Sequence, residues 1–255
     1  MPRYRPIRIL PISNRSEVTA APTQTSRQAI LALGIRVQRV GGKDQVLKLL
    51  VQKDHLQIKI EVSPVLRGSV RPVSMQAVSP EVERQLGYVE VQVLHSHDIY
   101  AGKICAALDR QHPRDLFDVK TLLETDGINN DLLEVFIIYL ISSDRPISEL
   151  LSPRFMPLAV TFESQFRGMT LQEVSLQELE ETRQSLVQLV NTMLTPTQRK
   201  FLVGFKQGEP DWSLLLSVKG VQNLPGVQWK LLNIRRMTPA KRKEALRKLK
   251  IVLFE

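Results

Sequence analysis

The chain has 255 residues, 43% of them apolar and 24% charged, and 35 Lys and Arg against 26 Asp and Glu give it a formal charge of +9. That is the composition of a globular protein able to bury a sizeable core, with room for two subdomains. No apolar run approaches the roughly 20 residues needed to span a bilayer, and a single cysteine, Cys105, excludes an internal disulfide framework.

Residues 1–25 read as an irregular segment with four prolines, a Ser/Thr/Ala-rich tail and no signal peptide, so the cytoplasm is the expected compartment. A short helix is predicted at 27–33. The period then changes to that of strands: Ile35–Val40, Val46–Gln52 and Leu56–Val62 are β-branched-rich and separated by turn residues, which predicts an antiparallel meander. In the third strand Gln57, Lys59 and Glu61 alternate with Leu56, Ile58, Ile60 and Val62, so Lys59 and Glu61 share one face. A loop after Arg67-Gly68, a helix near Pro80–Leu86 and a strand at Val89–Val93 follow.

The stretch His97–Val119, HDIYAGKICAALDRQHPRDLFDV, is the most informative part of the sequence. Asp98, Lys103, Asp109, Arg110, Arg114, Asp115 and Asp118 place seven charges in 21 residues otherwise rich in Ile, Ala, Leu and Phe. Such charges either cover a solvated helix face, tied by ion pairs, or converge on a charged ligand. Ser96 is the expected N-cap of the first helix. On one unbroken helix Lys103 and Asp115 would lie about 18 Å apart. Pro113, however, disfavours helix at His112 and removes a donor, so the chain is expected to turn and bring Arg114 and Asp115 back towards Lys103.

From about Asn130 the pattern is helical: Leu132–Ser142, a segment from Glu149, Leu176–Met193, Pro196–Phe205 and Pro239–Val252. Leu176, Leu179, Leu186, Leu189, Val190 and Met193 form a core stripe, with Glu178, Glu180, Glu181 and Arg183 between them. Trp212 and Trp229 are expected core anchors. The last helix has Thr238 as N-cap and turns Lys241, Arg242, Lys243, Arg247, Lys248 and Lys250 outward, either as a solvated face or as a contact for an RNA backbone. His95 and His97 form an H-x-H pair with no third metal ligand at suitable spacing.

The run from Asp98 to Asp118 closely resembles a signature of the AbiEii/AbiGii toxin family of nucleotidyltransferases, whose members often read D-L-Y-A-G-K and then A-L-D-R-Q-H-P-R-D-L-F-D. The run FKQGEPDW at Phe205–Trp212 resembles the family's carboxyl-terminal region. The resemblance implies an α/β (α+β) protein: an irregular segment 1–25, part of a nucleotidyltransferase-like mixed sheet over 26–125, and a helical domain over 126–255. It implies a toxin that moves a nucleotide from an NTP to an acceptor, tRNA or another RNA, with Mg²⁺ and under control of a cognate antitoxin. Lys103 and Asp115 take active-site roles, Asp98 and Asp118 orient or support them, and Arg110 and Arg114 can grip phosphate. Glu61 becomes the third metal-binding acid, and Arg67 helps position a phosphate.

Family members also carry an early G-G-T-A-L or G-S motif followed by D-x-D, which supplies the first two metal ligands. This chain has no D-x-D, and Glu17 is the sole acid among its first 40 residues. The resemblance thus covers roughly Gly34 onward. Two readings stay open: a shortened homologue that binds nucleotide or RNA without catalysis, and a site completed by another chain.

Overall fold

A computed structural model describes residues 31, 36–40, 48–53, 56–61, 68–215 and 218–255. Two compact units divide the chain, Met1–Leu66 and Arg67–Glu255. The helix expected at 27–33 lies almost wholly outside the described residues.

The first unit contains the meander: β1 (Arg36–Val40), β2 (Lys48–Lys53) and β3 (Leu56–Glu61), antiparallel in the order β1-β2-β3. The register places Val37 opposite Val51 and Val51 opposite Ile58, a cross-strand row of the β-branched residues that favour a pleated surface. It also sets Glu61, the last residue of β3, opposite Lys48.

In the second unit, β4 (Ser74–Ala77) and β5 (Glu90–Val93) pair antiparallel on either side of α1 (Pro80–Leu86), whose N-cap Ser79 accepts from the Val82 N–H at 3.3 Å. The sequence reading leaves β4 within a loop, because four residues, SMQA, are too few to establish a strand period; β5 supplies the pairing that makes them a strand. All described strands are antiparallel and lie in two small sheets, so the mixed sheet expected from the resemblance is not what they form. The chain is α+β and mostly helical.

The helices are α2 (Ser96–Arg110), α3 (Pro113–Glu124), α4 (Asn130–Ile141), α5 (Ile147–Leu151), α6 (Ala159–Gln165), α7 (Leu176–Met193), α8 (Pro196–Gln207), α9 (Pro225–Arg235) and α10 (Pro239–Phe254). Helix α4, NDLLEVFIIYLI, buries every residue from Leu132 to Ile141 except Glu134. A helix apolar on all sides has to be surrounded by protein, and α2 lies against it with the small residues Ala101, Cys105 and Ala107 buried. Gly102 keeps its surface open to the Tyr139 ring: a Cβ there would stand 3.5 Å from Cε1.

Leu179, Leu186 and Val190 of α7 are buried as expected. Arg183, expected among the outward charges, is buried instead. Its guanidinium donates to the Met156 carbonyl (2.7 Å) and the Gln111 side chain (3.0 Å) and lies over the Phe155 ring. Trp212 packs against Phe201 and Phe205, but Trp229 is 38% exposed and anchors nothing central. Helices α6 and α9 escape the sequence reading because both are short and weakly patterned.

Lys230 of α9 is buried, and its ammonium donates to the carbonyls of Ser143 (2.5 Å), Arg145 (2.6 Å) and Asp144 (3.2 Å), which closes the turn after α4. Burial, and then the nearby Lys206 ammonium, push its pKa down to about 8. The unfolded chain then holds more protons than the folded one between pH 8 and 10.5, so this residue's contribution to stability rises with pH across that window. Urea melts of wild type and Lys230→Met should show the difference moving in favour of wild type by about 1 kcal/mol per pH unit above pH 8. A difference that stays constant from pH 7.5 to 9.5 would contradict this account.

Candidate functional site

Helices α2 and α3 form an antiparallel hairpin, and the residues of its turn explain why. Gln111 ends α2 in the left-handed region (φ 49°, ψ 35°), a conformation that non-glycine residues seldom adopt. Its buried side chain offsets the cost: the amide donates to the Arg154 carbonyl at 2.8 Å, and the oxygen accepts from the Met156 N–H and from Arg183, both at 3.0 Å. His112 then caps α3 by accepting from the Arg114 N–H, and Pro113 takes the first helical position, where no donor is needed. At the other end, His95 and not Ser96 caps α2, its Nδ1 accepting from the His97 N–H at 3.1 Å.

Asp98, in the first turn of α2, is 1% exposed. One carboxylate oxygen accepts from the Val70 N–H (2.7 Å) and the Tyr139 hydroxyl (3.0 Å), the other from the Arg71 N–H (2.9 Å). This carboxylate ties the segment before β4 to α2 and α4, and its position in the first turn also suits the helix dipole. Asp109 forms an exposed ion pair with Arg145 of the segment after α4. Asp98 therefore holds the scaffold together.

The remaining charges form two rungs across the open face of the hairpin. Lys103 Nζ lies 2.5 Å from Asp118 Oδ2, and Arg110 Nη2 lies 2.8 Å from Asp115 Oδ1. The turn thus brings all four residues onto one face, but in pairs other than the expected Lys103–Asp115. Lys103 and Asp118 are about one-third exposed, Arg110 is largely exposed and Asp115 is 14% exposed. Arg114 is exposed, and its side chain has no hydrogen-bond or ion-pair partner among the described residues. Glu61 belongs to the other unit, and Arg67 lies outside the described residues.

Exposed ion pairs are worth only about 0–1 kcal/mol. A phosphate, with more charge and several acceptor oxygens, can therefore take the place of Asp118 on Lys103 or of Asp115 on Arg110 at little cost. Beyond Lys103, at the open end of the hairpin, a polar cleft of about 320 Å³ is lined by Ser96, His97, Tyr100, Asp126, Gly127 and Asn129. Tyr100 stands one helical turn before Lys103, on the same side of α2. The buried Nδ1 of His97 has no partner among the described residues, and burial, His95 and Arg71 lower the pKa of the ring, partly offset by Asp131 and Asp98. Periodicity does not reveal this cleft, because helix ends distant in sequence build it.

Among the described residues no three His, Cys, Asp or Glu side chains converge on a point that would hold a metal ion. The hairpin presents Lys103, Arg110 and Arg114 on its accessible side, side chains of the types able to pair with phosphate, on a helical scaffold. A family model described as nucleotidyl transferase AbiEii toxin, type IV toxin–antitoxin system, matches residues 14–231, and the chain belongs to that family. The match begins before Gly34, where the sequence resemblance was expected to start, and it ends before α10. No curated protein and no solved structure matches the chain.

Burial separates two kinds of aspartate. Replacing Asp98 with Asn turns an NH₂ towards a backbone N–H, which should cost about 2–3 kcal/mol, or roughly 4–12 °C in Tm for a unit of this size. Asp118→Asn should cost less than about 1 kcal/mol. Thermal melts of the two variants check the contrast, and equal losses would mean that the rung is as structural as the buried knot.

Proposed function

We propose that this protein is a toxin that transfers a nucleotide from an NTP to an RNA acceptor, with tRNA the first acceptor to test. The observation that carries the reading is the pair of exchangeable rungs on the α2–α3 hairpin, in a chain of this family. In the free protein, Asp118 and Asp115 occupy Lys103 and Arg110. When the triphosphate enters, Lys103 neutralises it as a compact point charge and Arg110 grips it with its fork, while Arg114 reaches from the start of α3. The two carboxylates, displaced from their cations, are left beside the substrate, where Asp115 has the better shielded position.

Mg²⁺ would supply this class of transfer with neutralisation of phosphate charge and activation of the attacking hydroxyl. The described side chains do not assemble a site for it. Glu61 as a metal-binding acid, and Arg67 as a residue positioning phosphate, stay part of the proposal on family grounds. Asp98 acts by positioning α2, which carries Lys103. The cytoplasm, which supplies NTP and RNA, is the compartment this reading requires, and a cognate antitoxin is the regulatory partner. Among the described residues no helix is long and apolar enough to cross a membrane.

The lack of any D-x-D in the sequence favours a second reading, a homologue that binds nucleotide or RNA without transferring anything. Incubation with each α-labelled NTP, Mg²⁺ and total tRNA separates the two. Label in RNA that falls about a hundredfold or more in Lys103→Ala, with Tm nearly unchanged, supports transfer. NTP binding that depends on Lys103, with no label in any acceptor, supports the second reading.

A further inference from the structure

Positive charge gathers at both ends of the sequence, a formal +6 over residues 1–40 and +6 over residues 235–255. Residues 235–255 contain Arg235, Arg236, Lys241, Arg242, Lys243, Arg247, Lys248 and Lys250 against Glu244 and Glu255. This segment follows the stretch matched by the family model, which ends at residue 231. The family's shared machinery therefore does not account for it.

Helix α10 holds these charges in a fixed array. Thr238 caps it, Pro239 opens it, and Arg242 Nη2 donates to the Arg235 carbonyl at 3.1 Å, which closes the elbow between α9 and α10. Leu249 and Leu253 are buried in the core, so the opposite face looks outward. On that face Lys243, Arg247, Lys250 and Phe254 follow one another at spacings of four, three and four residues, a stripe about 16 Å long. All four are exposed, and Phe254 is 61% accessible. Lys243 and Lys250 have no acidic partner among the described residues, and Arg247 pairs with the exposed Glu244.

A row of cations ending in an accessible aromatic ring has the chemistry that binds single-stranded nucleic acid: the cations follow the phosphates, and a base stacks on the ring. A bilayer is a poorer match. An interfacial helix needs a free apolar face, and the apolar face of α10 is spent on the core, leaving only Ile251 and Phe254 at its end.

We infer that the Lys243–Arg247–Lys250–Phe254 stripe is a docking surface for single-stranded RNA. The choice of RNA over DNA rests on the acceptor proposed above. The stripe binds a strand through its backbone and one stacked base, apart from the phosphate-binding rungs of the α2–α3 hairpin.

The test is binding of a fluorescent 12-nucleotide RNA by anisotropy, without NTP, at several salt concentrations. The proteins are wild type, a Lys243→Glu/Arg247→Glu/Lys250→Glu variant, Phe254→Ala, and a control with the same charge change elsewhere on the surface, Arg84→Glu/Arg167→Glu/Lys219→Glu. Losing three phosphate contacts should reduce the slope of log K against log salt by about 2. Phe254→Ala should weaken binding about tenfold. The control should lose much less than the stripe variant, with circular dichroism unchanged in all four. Equal losses in stripe and control variants would overturn the inference, since net charge alone would explain them. So would tighter binding of a DNA duplex or of phosphatidylserine vesicles than of the RNA. Nucleotide transfer is scored separately: RNA binding that maps to the stripe, with no label transferred, would keep this surface and reject the transferase. Transfer dependent on Lys103, with binding indifferent to the stripe, would do the reverse.

Discussion

A carboxylate removed from water has to find its hydrogen bonds in the protein, and Asp98 finds three. Two come from backbone N–H groups of the segment before β4 and one from Tyr139 on the central helix. Through them the entry into the small β4–β5 sheet, the start of α2 and the middle of α4 are held at one point. Gly102, one turn further along α2, keeps the same Tyr139 ring close. The face that carries Lys103 is thereby fixed, although Lys103 has no part in the fixing. The orientation of Lys103 and its neighbours on the hairpin is inherited from a buried acid.

The hairpin turn follows a similar logic. A non-glycine residue at φ 49° is an unfavourable choice, and Gln111 is held there because its side chain satisfies donors and acceptors from the segment at 154–156 and from Arg183. Within the signature, then, Asp98, Gly102, Gln111, His112 and Pro113 shape the scaffold. Lys103, Arg110, Arg114, Asp115 and Asp118 are left on its accessible side. The energetic distinction is between bonds sheltered from water, which cost several kcal/mol to disturb, and exposed pairs, which exchange readily. Exchange is what a site for a charged substrate requires.

Charge is partitioned in the same spirit. The rungs on the hairpin are nearly neutral as they stand, each cation being matched by an aspartate. A formal +6 lies on residues 235–255, at the α9–α10 elbow.

The sequence by itself determined much of the local structure. The meander, α1, α7 and the break at Pro113 were legible because each depends on neighbours in sequence: alternation, helical spacing, a missing donor. The signature also identified the residues now found on the hairpin, and the resemblance carried chiefly by those residues led to the family. It could not say which aspartate would face which cation. Lys103 meets Asp118 because the length of the turn and the crossing of α2 over α4 set the register of the two helices, and both are fixed by side chains as distant as Tyr139 and Arg183. Nor could it show that Arg183 is inside, that Trp229 is not, or that SMQA becomes a strand. Burial and pairing belong to the assembled core: the same charged residue is a solvated ornament or a structural knot according to what the rest of the chain places around it.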